Sequence, residues 1–337
     1  MRFLPDDEHR DLARTLDALL SSADTPGAAR AWAAGDHAPG LALWSRLAET
    51  GVFALAVPET YEGMGQLPVE LAVSFIELGR HAVPGPVVET VAAAGLLGRL
   101  DHPEAVSWLP RVAAGKAVLS LCVPESCGPY ALDADAADAV LVVAGDTLRL
   151  AEDTGPVQPS ADPVRRLARP LGGTVLARGP EVTAAAAYAS GLAALTTAAQ
   201  ALGLGRALLD RTVAYVRQRT QFGVPVGSFQ AVKHRLADTL IALEFARPLV
   251  YAAALELAQG ADTAPRGIAA AKVAAGEAAY AAARTALQLH GAVGYTEELD
   301  LSLWLRKARP LRDAWGTPAA CRARVLALRP SEEAEPA

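Results

Sequence analysis

The sequence has few of the residues from which metal centres and nucleic-acid-binding surfaces are built. It contains six histidines and three cysteines among 337 residues, and these show no metal-ligand spacing, so we expect no metal site. Acidic residues outnumber basic ones, with 37 aspartates and glutamates against 31 lysines and arginines and a net charge of -6. A chain with this charge offers no basic surface to nucleic acid.

The cysteines are too few and too scattered for a disulfide framework. Cys122 and Cys127 form one C-x4-C pair, and Cys321 lies far from both. No secretory signal pattern precedes them, and an odd number of unpaired cysteines is typical of a reducing compartment. We therefore expect a cytoplasmic location.

Long apolar runs are also scarce, and one uncharged stretch is long enough to cross a membrane. Residues 184–205, AAAAYASGLAALTTAAQALGLG, have the length of a spanning helix. The stretch consists mostly of alanine, glycine, threonine and other small residues, which enter a bilayer far less favourably than leucine or isoleucine. It predicts the buried helix of a bundle, and we expect no membrane span.

Hydrophobic periodicity divides the chain into three parts. Apolar residues recur at helical spacing near the N-terminus and again from Tyr188 onward, whereas short β-type runs occupy the middle. The predicted fold class is α+β, mostly α, with an N-terminal helical domain, a small antiparallel β domain and a C-terminal helical bundle. The predicted bounds of these domains are 1–112, 113–183 and 184–330, followed by a disordered tail over 331–337.

The same spacing predicts individual helices. The segment 22–40 is polar and rich in turn residues, which predicts a mobile connection. Short loops between the later helices imply antiparallel neighbours. The predicted helices cover residues 6–21, 41–50, 68–80, 186–218, 230–258, 265–290, 297–309 and 318–328.

A loop between two of these helices has the residues of an anion-binding site. Arg219 is followed by Gln221 and Phe222, and a Phe229-Gln230 pair stands where the next helix begins. The rigid fork of donors on arginine matches phosphate or carboxylate oxygens. A purely structural explanation stays open, in which the arginine solvates a helix end and the glycine and proline of FGVP stop the helix.

Two motifs here resemble those of a known enzyme family. Residues 219–238, R-x-Q-F-G-x-P-V-x-x-F-Q-x-V-x-H-x-L-A-D, resemble the C-terminal signature of acyl-CoA dehydrogenases. Residues 288–306, QLHGAVGYTEELDLSLWLR, are similar to the family's Q-x-H-G-G-x-G-[FY] segment and the helix after it. Members of this family use FAD to oxidise the Cα–Cβ bond of acyl-CoA thioesters. The resemblance therefore implies an acyl-CoA dehydrogenase-like fold and FAD as cofactor.

The resemblance also implies which residues contact FAD. In the family, the arginine of R-x-Q-F-G reaches the pyrophosphate of the FAD in a neighbouring subunit, and the other motif residues contact the same cofactor. The residues implied here are Arg219, Gln221, Phe222, Phe229, Gln230, Gln288, Gly291 and Ala292.

No catalytic base stands at either position that the family uses. Removal of the α proton next to a thioester needs a carboxylate whose pKa is raised by an apolar pocket. Aligning the family's Y-E-G-T string with residues 314–317 puts Trp315 at the glutamate, and the alternative base position holds Ala193. The acids that follow the GYT of the second motif are Glu297, Glu298 and Asp300, whose other interpretation is a charged first helical turn.

The middle domain also departs from the resemblance. LCVPESCGPYALDA stands at the place of a T-E-P-x-x-G-S-D segment that carries the flavin ring in the family. A later K-x-W-I-[TS]-[NG] segment has no counterpart here. The domain is thus expected to be shortened, with an incomplete flavin cradle.

Three functions remain open from the sequence. The first is one subunit of a heteromeric α2β2 acyl-CoA dehydrogenase, in which a homologous partner supplies the base, about one FAD serves two chains, and an electron-transfer flavoprotein or similar acceptor takes the electrons. The second is a non-catalytic binding or scaffold protein without flavin. The third is a homotetrameric dehydrogenase that uses Glu297, Glu298 or a related acid as base. The acyl group, which could be a steroid side chain, a fatty chain or a branched chain, stays undetermined.

Overall fold

A computed structural model describes residues 6–328, so the tail predicted over 331–337 lies outside the described residues. Within 6–328 the chain forms twelve α-helices and ten short strands. The helices are α1 Asp7–Ser21, α2 Thr25–Ala33, α3 Ala38–Glu49, α4 Pro68–Arg80, α5 Val87–Leu97, α6 Pro103–Ala113, α7 Pro124–Cys127, α8 Pro180–Gln218, α9 Gln230–Ala258, α10 Ala264–His290, α11 Leu301–Asp313 and α12 Pro318–Ala327. The strands are β1 Leu119–Cys122, β2 Ala131–Leu132, β3 Ala139–Ala144, β4 Thr147–Leu150, β5 Asp153–Thr154, β6 Leu167–Ala168, β7 Pro170–Leu171, β8 Thr174–Arg178, β9 Thr220–Gln221 and β10 Val224–Pro225.

The prediction of a mobile connection over 22–40 is wrong. This segment contains α2 and the start of α3. The Asp24 side chain accepts a hydrogen bond from the Gly27 backbone N–H at 2.9 Å, which caps α2, and Trp32 is 1 % exposed. One buried indole stabilises a helix whose other residues are mostly small or polar, and that contribution depends on tertiary contacts that local composition does not reveal.

The sheet of the middle region is mixed, so the expectation of an antiparallel sheet is wrong for one pair. The strand order is β1-β3-β4-β8, in which β1 pairs with β3 in parallel and the other two pairs are antiparallel. The chain between β1 and β3 crosses over through α7 and β2, which gives it the length that a parallel connection requires. The Thr90 hydroxyl of α5 donates to the Leu119 carbonyl at 2.7 Å and thereby fixes the sheet to the helices.

Helix α8 is the centre of the fold, because α4, α5, α9, α10 and α11 all pack against it. Two glycines permit its closest crossing. A Cβ on Gly203 would lie 1.8 Å from the Ile76 carbonyl, and one on Gly79 would lie 2.1 Å from the Gln200 carbonyl. The backbones of α4 and α8 therefore approach to a distance that no side chain would allow.

The uncharged stretch from 184 to 205 lies within α8 and forms part of the core. By length and composition α8 is the one helix among the described residues that could cross a membrane, and 72 % of its most apolar window is buried inside the structure. A spanning helix would instead present this surface to lipid. The placement agrees with the prediction of a buried bundle helix.

The C-terminal helices follow the predicted pattern with two departures, at α8 and α11. The bounds of α9, α10 and α12 agree with the predicted ranges to within one residue at each end, and α8 begins six residues earlier than predicted. Helix α11 begins at Leu301 and not at 297, because the acidic residues before it form bends. Acidic residues are common both in first helical turns and in the turns that precede them, so composition does not separate these cases.

Candidate functional site

One end of the helical bundle brings the two sequence motifs together. Helix α8 ends at Gln218, the β9–β10 hairpin follows, α9 starts at Gln230, and α10 ends at His290. The Tyr215 ring stacks on His290 with centroids 4.1 Å apart, and its hydroxyl donates to the His290 carbonyl at 3.4 Å. This contact joins the end of α8 to the end of α10. We call residues 219–230 and 288–292 together the open end.

Every residue implied to contact FAD lies at the open end and is exposed. Phe222 is 92 % exposed, and its ring meets Phe229 edge-on with centroids 6.3 Å apart. The Arg219 guanidinium is likewise exposed and has no ion-pair partner within residues 6–328. The exposed set is Arg219, Gln221, Phe222, Phe229, Gln230, Gln288, Gly291 and Ala292. These side chains have little to bind inside their own chain.

The backbone at the open end leaves space above it. Gly291 ends α10 with φ 64°, in the left-handed region that favours glycine, and a Cβ there would meet no atom within 4 Å. Ala292, which stands where the family has a second glycine, is exposed as well. Its methyl group therefore collides with nothing in this chain.

The residues around Trp315 are buried, in contrast to the exposed residues of the open end. Trp315 is 4 % exposed, has φ 53°, and donates from Nε1 to Glu89 Oε1 at 3.0 Å. Glu89 is 3 % exposed, and burial raises the pKa of its carboxyl group. Its other oxygen, Oε2, has no hydrogen-bond partner within residues 6–328. A positive φ on a tryptophan costs roughly 1–3 kcal/mol, so the surrounding packing must hold it.

A small polar cavity lies beside this pair. Its volume is about 20 Å³, enough for about one water molecule and far too small for an acyl chain. Burial raises the pKa of Asp133 to about 7, and Lys307 Nζ lies 3.3 Å from the buried Asp162 carboxylate. The charged and polar lining consists of Glu89, Asp133, Arg165, Thr197, Gln200 and Lys307.

A buried lysine holds the loop that carries Trp315. Lys272 is 1 % exposed and donates to the carbonyls of Leu311, Arg312 and Gly316 at 3.0, 2.7 and 3.3 Å. Burial lowers its pKa to about 8. The ammonium group satisfies carbonyls that the end of α11 leaves unpaired, so it fixes the backbone on both sides of Trp315.

The second possible base position is also closed. Ala193 is fully buried in α8 and carries no group that accepts a proton. Near it, α5 packs closely on α8, since a Cβ on Gly95 would lie 3.1 Å from Leu192 and 3.2 Å from Tyr188. An open cleft of about 270 Å³ between α8, α10 and α12 is lined by neither Ala193 nor Trp315.

The acids after the second motif are at the surface. Glu297 forms an ion pair with Arg306 at 2.5 Å, Asp300 pairs with Arg30, and Glu298 is exposed. None of these carboxylates is enclosed in an apolar pocket. The sequence analysis missed Glu89, although a lone acid in the apolar helix VVETVAAAGLL was a usable signal.

One group of possible metal ligands occurs among the described residues, and an arginine occupies it. Ligand atoms of Asp17, Glu77 and His81 lie within 4.8 Å of one another. Arg80 Nη1 lies 2.9 Å from Glu77 and 3.4 Å from Asp17, so a guanidinium already pairs with both acids. We assign no metal site to this group.

Comparison with known proteins identifies the family. The family model of the acyl-CoA dehydrogenase N-terminal domain matches residues 6–116, and that of the C-terminal domain matches residues 184–327. Acyl-CoA dehydrogenase IpdE2 of Mycobacterium tuberculosis is 34 % identical over 306 residues, which cover 90 % of this chain and 92 % of the relative. The chain belongs to the acyl-CoA dehydrogenase family.

Two solved structures of this family resemble the dehydrogenase fold of the chain over most of its length. One is described as the Tcur3481-Tcur3483 steroid ACAD G363A variant, with a TM-score of 0.84, 25 % identity and coverage of 95 % of this chain and 97 % of that one. The other is the ChsE4-ChsE5 complex from Mycobacterium tuberculosis, with a TM-score of 0.81, 25 % identity and coverage of 98 % and 100 %.

The family assignment confirms the predicted fold class and the resemblance inferred from the two motifs. It also establishes the type of activity, that of flavoprotein oxidoreductases which act on acyl-CoA. FAD is the cofactor of the family. The part that this chain takes in that activity is inferred from two features, the exposed residues of the open end and the buried Trp315.

Proposed function

We propose that this acyl-CoA dehydrogenase is one subunit of a heteromeric enzyme and contacts FAD held mainly by a homologous partner, which supplies the base. One observation carries the proposal. The implied FAD contacts are all exposed at the open end, whereas the two base positions hold a buried indole and a buried methyl group. The chain thus offers residues to a neighbour and lacks the reactive group of its own site.

The chemistry of the open end suits the polar part of FAD. A guanidinium without an ion pair attracts a pyrophosphate through charge-assisted hydrogen bonds, and its planar fork fits two phosphate oxygens. The amides of Gln221, Gln230 and Gln288 offer further donors and acceptors beside it. When bound, FAD accepts the β hydrogen of the substrate as hydride. The role of this chain is to bind and orient the cofactor.

The cavity beside Trp315 fits neither an acyl group nor a flavin ring. The cavity beside Trp315 has the volume of about one water molecule. The one carboxylate next to the base position, Glu89, is bonded to the Trp315 indole. Proton removal in an assembled enzyme is therefore assigned to a glutamate of the partner chain.

Exposed apolar side chains on α9 support association with another subunit. Ile241, Phe245 and Leu249 follow one another at intervals of four residues on a single face, and Leu240 adjoins them. They are exposed by 52, 73, 42 and 38 % respectively. Monomeric proteins rarely leave such a continuous helical stripe in water.

The two other functions have less support. A scaffold without flavin gives no reason for an exposed, unpaired arginine surrounded by glutamines at the open end. A homotetrameric enzyme would need Glu297 or Glu298 as base, and these lie at the surface, with Glu297 paired to an arginine. One structural relative is described as a steroid ACAD, and we therefore include a steroid acyl-CoA among the proposed substrates.

The test is co-expression with a homologous chain that carries a glutamate at the position of Trp315. The complex should purify with about one FAD for two chains and oxidise an acyl-CoA with an electron-transfer flavoprotein as acceptor. The chain alone should be slower by about two to four powers of ten, the typical contribution of a positioned base. One FAD per chain and full activity of the isolated chain would contradict the proposal. A colourless complex without turnover would favour the scaffold.

A further inference from the structure

The two cysteines of the C-x4-C pair meet in the middle region. Cys122 ends β1, and Cys127 ends the one-turn helix α7. The sulfur atoms of both lie 3.6 Å from the same acceptor, the Gly128 carbonyl oxygen. The Cys127 thiol also lies 3.3 Å from the Val123 carbonyl, and its sulfur accepts a hydrogen bond from the Val123 N–H at 3.4 Å. One tight turn thus brings both sulfur atoms to the same carbonyl oxygen.

The two thiols differ in exposure and in pKa. Cys122 is 1 % exposed, whereas Cys127 is half-buried. The neighbouring Cys122 thiol lowers the pKa of Cys127, whereas the Cys127 thiol and burial raise the pKa of Cys122. Nearby Arg165 favours the Cys127 thiolate, whereas Glu89 opposes it. A partly exposed thiol next to a buried second thiol is the arrangement of a thiol pair that reacts in sequence.

We propose that Cys122 and Cys127 form a reversible oxidation site, at which a small-molecule disulfide converts the two thiols into one intramolecular disulfide. The proposal concerns the turn 123–128 and does not depend on the proposed function. Cys321 is excluded from it, because it lies on α12, far from the turn in sequence, and is buried beside Lys272 of α10.

The exchange takes place in two steps that balance. The Cys127 thiolate attacks one sulfur of the small disulfide, a mixed disulfide forms, and one small thiolate leaves. The Cys122 sulfur then attacks the Cys127 sulfur of the mixed disulfide, and the second small thiolate leaves with the Cys122 proton. Two protein thiols are oxidised, and one small disulfide is reduced to two thiols.

The bond would constrain a turn that touches two other elements. Ser126 donates to Ser190 of α8 at 3.3 Å, and Glu125 accepts from the Gly145 N–H at 3.4 Å. Oxidation would tie the end of β1 to the end of α7 between these contacts. Because the bond would restrict the conformations of the unfolded chain, oxidation should raise the melting temperature.

The experiment treats the full-length chain, with any co-purified partner, with oxidised glutathione under native conditions. Remaining thiols are then alkylated in denaturant and counted by intact mass. We expect the number of free thiols to fall from the three of the sequence to one, with a mass loss of about 2 Da that dithiothreitol reverses. A peptide map should place the bond between Cys122 and Cys127. A chain that keeps all its thiols, or stops at a stable mixed disulfide, would overturn the proposal.

Single variants separate the roles of the cysteines. Cys321→Ser should behave as the wild type and serves as the matched control. Cys127→Ser should lose the reaction, whereas Cys122→Ala should accumulate one glutathione on Cys127. The rate at which Cys127 attacks the small disulfide should rise with pH. The midpoint of this rise should lie at a lower pH than for an ordinary thiol. Loss of the intramolecular bond in Cys321→Ser, or its persistence in Cys127→Ser, would contradict the assignment. The intact wild-type mass decides the question even if a variant fails to fold.

Discussion

The open end and the interior at Trp315 differ in where their polar side chains lie: those of the open end are exposed, and those around Trp315 are buried. At the open end, an arginine and three glutamines face solvent with few partners in their own chain. At Trp315, a glutamate, an aspartate and two cations are packed around a cavity of about 20 Å³. Polar side chains kept exposed at a helix-bundle end suit a contact with another molecule. Polar side chains that bond one another in the interior serve the fold.

The comparison also has an energetic side. Burial of Glu89 disfavours its charged form, and the hydrogen bond from Trp315 offsets only part of that cost, since Oε2 stays without a partner. Substitutions around Trp315 should therefore change the free energy of unfolding. The open end buries no charged side chain, so substitution of its residues should leave the fold intact.

The largest effect is expected from Trp315→Ala. It removes a buried indole and the donor to Glu89, so the free energy of unfolding should fall by about 3–5 kcal/mol. Trp315→Phe keeps most of the volume and removes the N–H group, and should cost about 1–3 kcal/mol. Urea unfolding measures both. Equal stability of the alanine variant and the wild type would mean that the indole does not fill the interior.

The next effect concerns pH. Burial raises the pKa of Asp133 from the ordinary 3.8 to about 7. Between these values the folded chain holds a proton that the unfolded chain has released, so the free energy of unfolding falls as the pH rises. Asp133→Asn should flatten this profile by up to about 1.4 kcal/mol per pH unit. Unfolding at several pH values compares the two proteins.

A residual slope is expected in Asp133→Asn, because burial shifts the pKa of Glu89 in the same direction. Glu89→Gln should reduce the residual dependence of the free energy of unfolding on pH. A wild-type profile that rises with pH across this window would contradict the raised pKa values.

A smaller effect, confined to cofactor binding, is expected from Arg219→Ala. Loss of a charge-assisted contact costs about 1.5–3 kcal/mol, so flavin retention in the assembled complex should weaken while the stability of the chain stays unchanged. Arg219→Lys should weaken it as well, because an ammonium cannot replace the fork. Arg217→Ala, an exposed arginine one position before the end of α8, is the control. Unchanged flavin occupancy in Arg219→Ala would remove the open end from cofactor binding.

The smallest effect is expected from Glu297→Ala and Glu298→Ala. Glu297 is largely exposed in its pair with Arg306, and such pairs contribute about 0.2–1 kcal/mol. Activity of the complex should be unchanged, measured as acyl-CoA oxidation. A loss of two or more powers of ten in either variant would reveal a base at the surface and favour the homotetrameric alternative.

The sequence predicted the parts of the fold that follow from long periodic patterns. The bounds of α9 were predicted to the residue, and the buried character of α8 followed from its small side chains. The helix α2 was missed, since its stability comes from one tryptophan packed into the core. The parallel pairing of β1 with β3 was missed because the strand pattern does not record the direction of a neighbouring strand.

For the candidate site, the sequence by itself determined which residues make up the two motifs, and the resemblance predicted that Trp315 and Ala193 stand where the family has a base. These conclusions follow from residue identity within motifs. Only the tertiary structure decided that the motif residues are exposed together and that Glu89 meets Trp315 across 226 positions of the chain. Exposure and long-range contact depend on how helices pack, and a local pattern fixes the face of each helix but not the side chain that another helix brings to it.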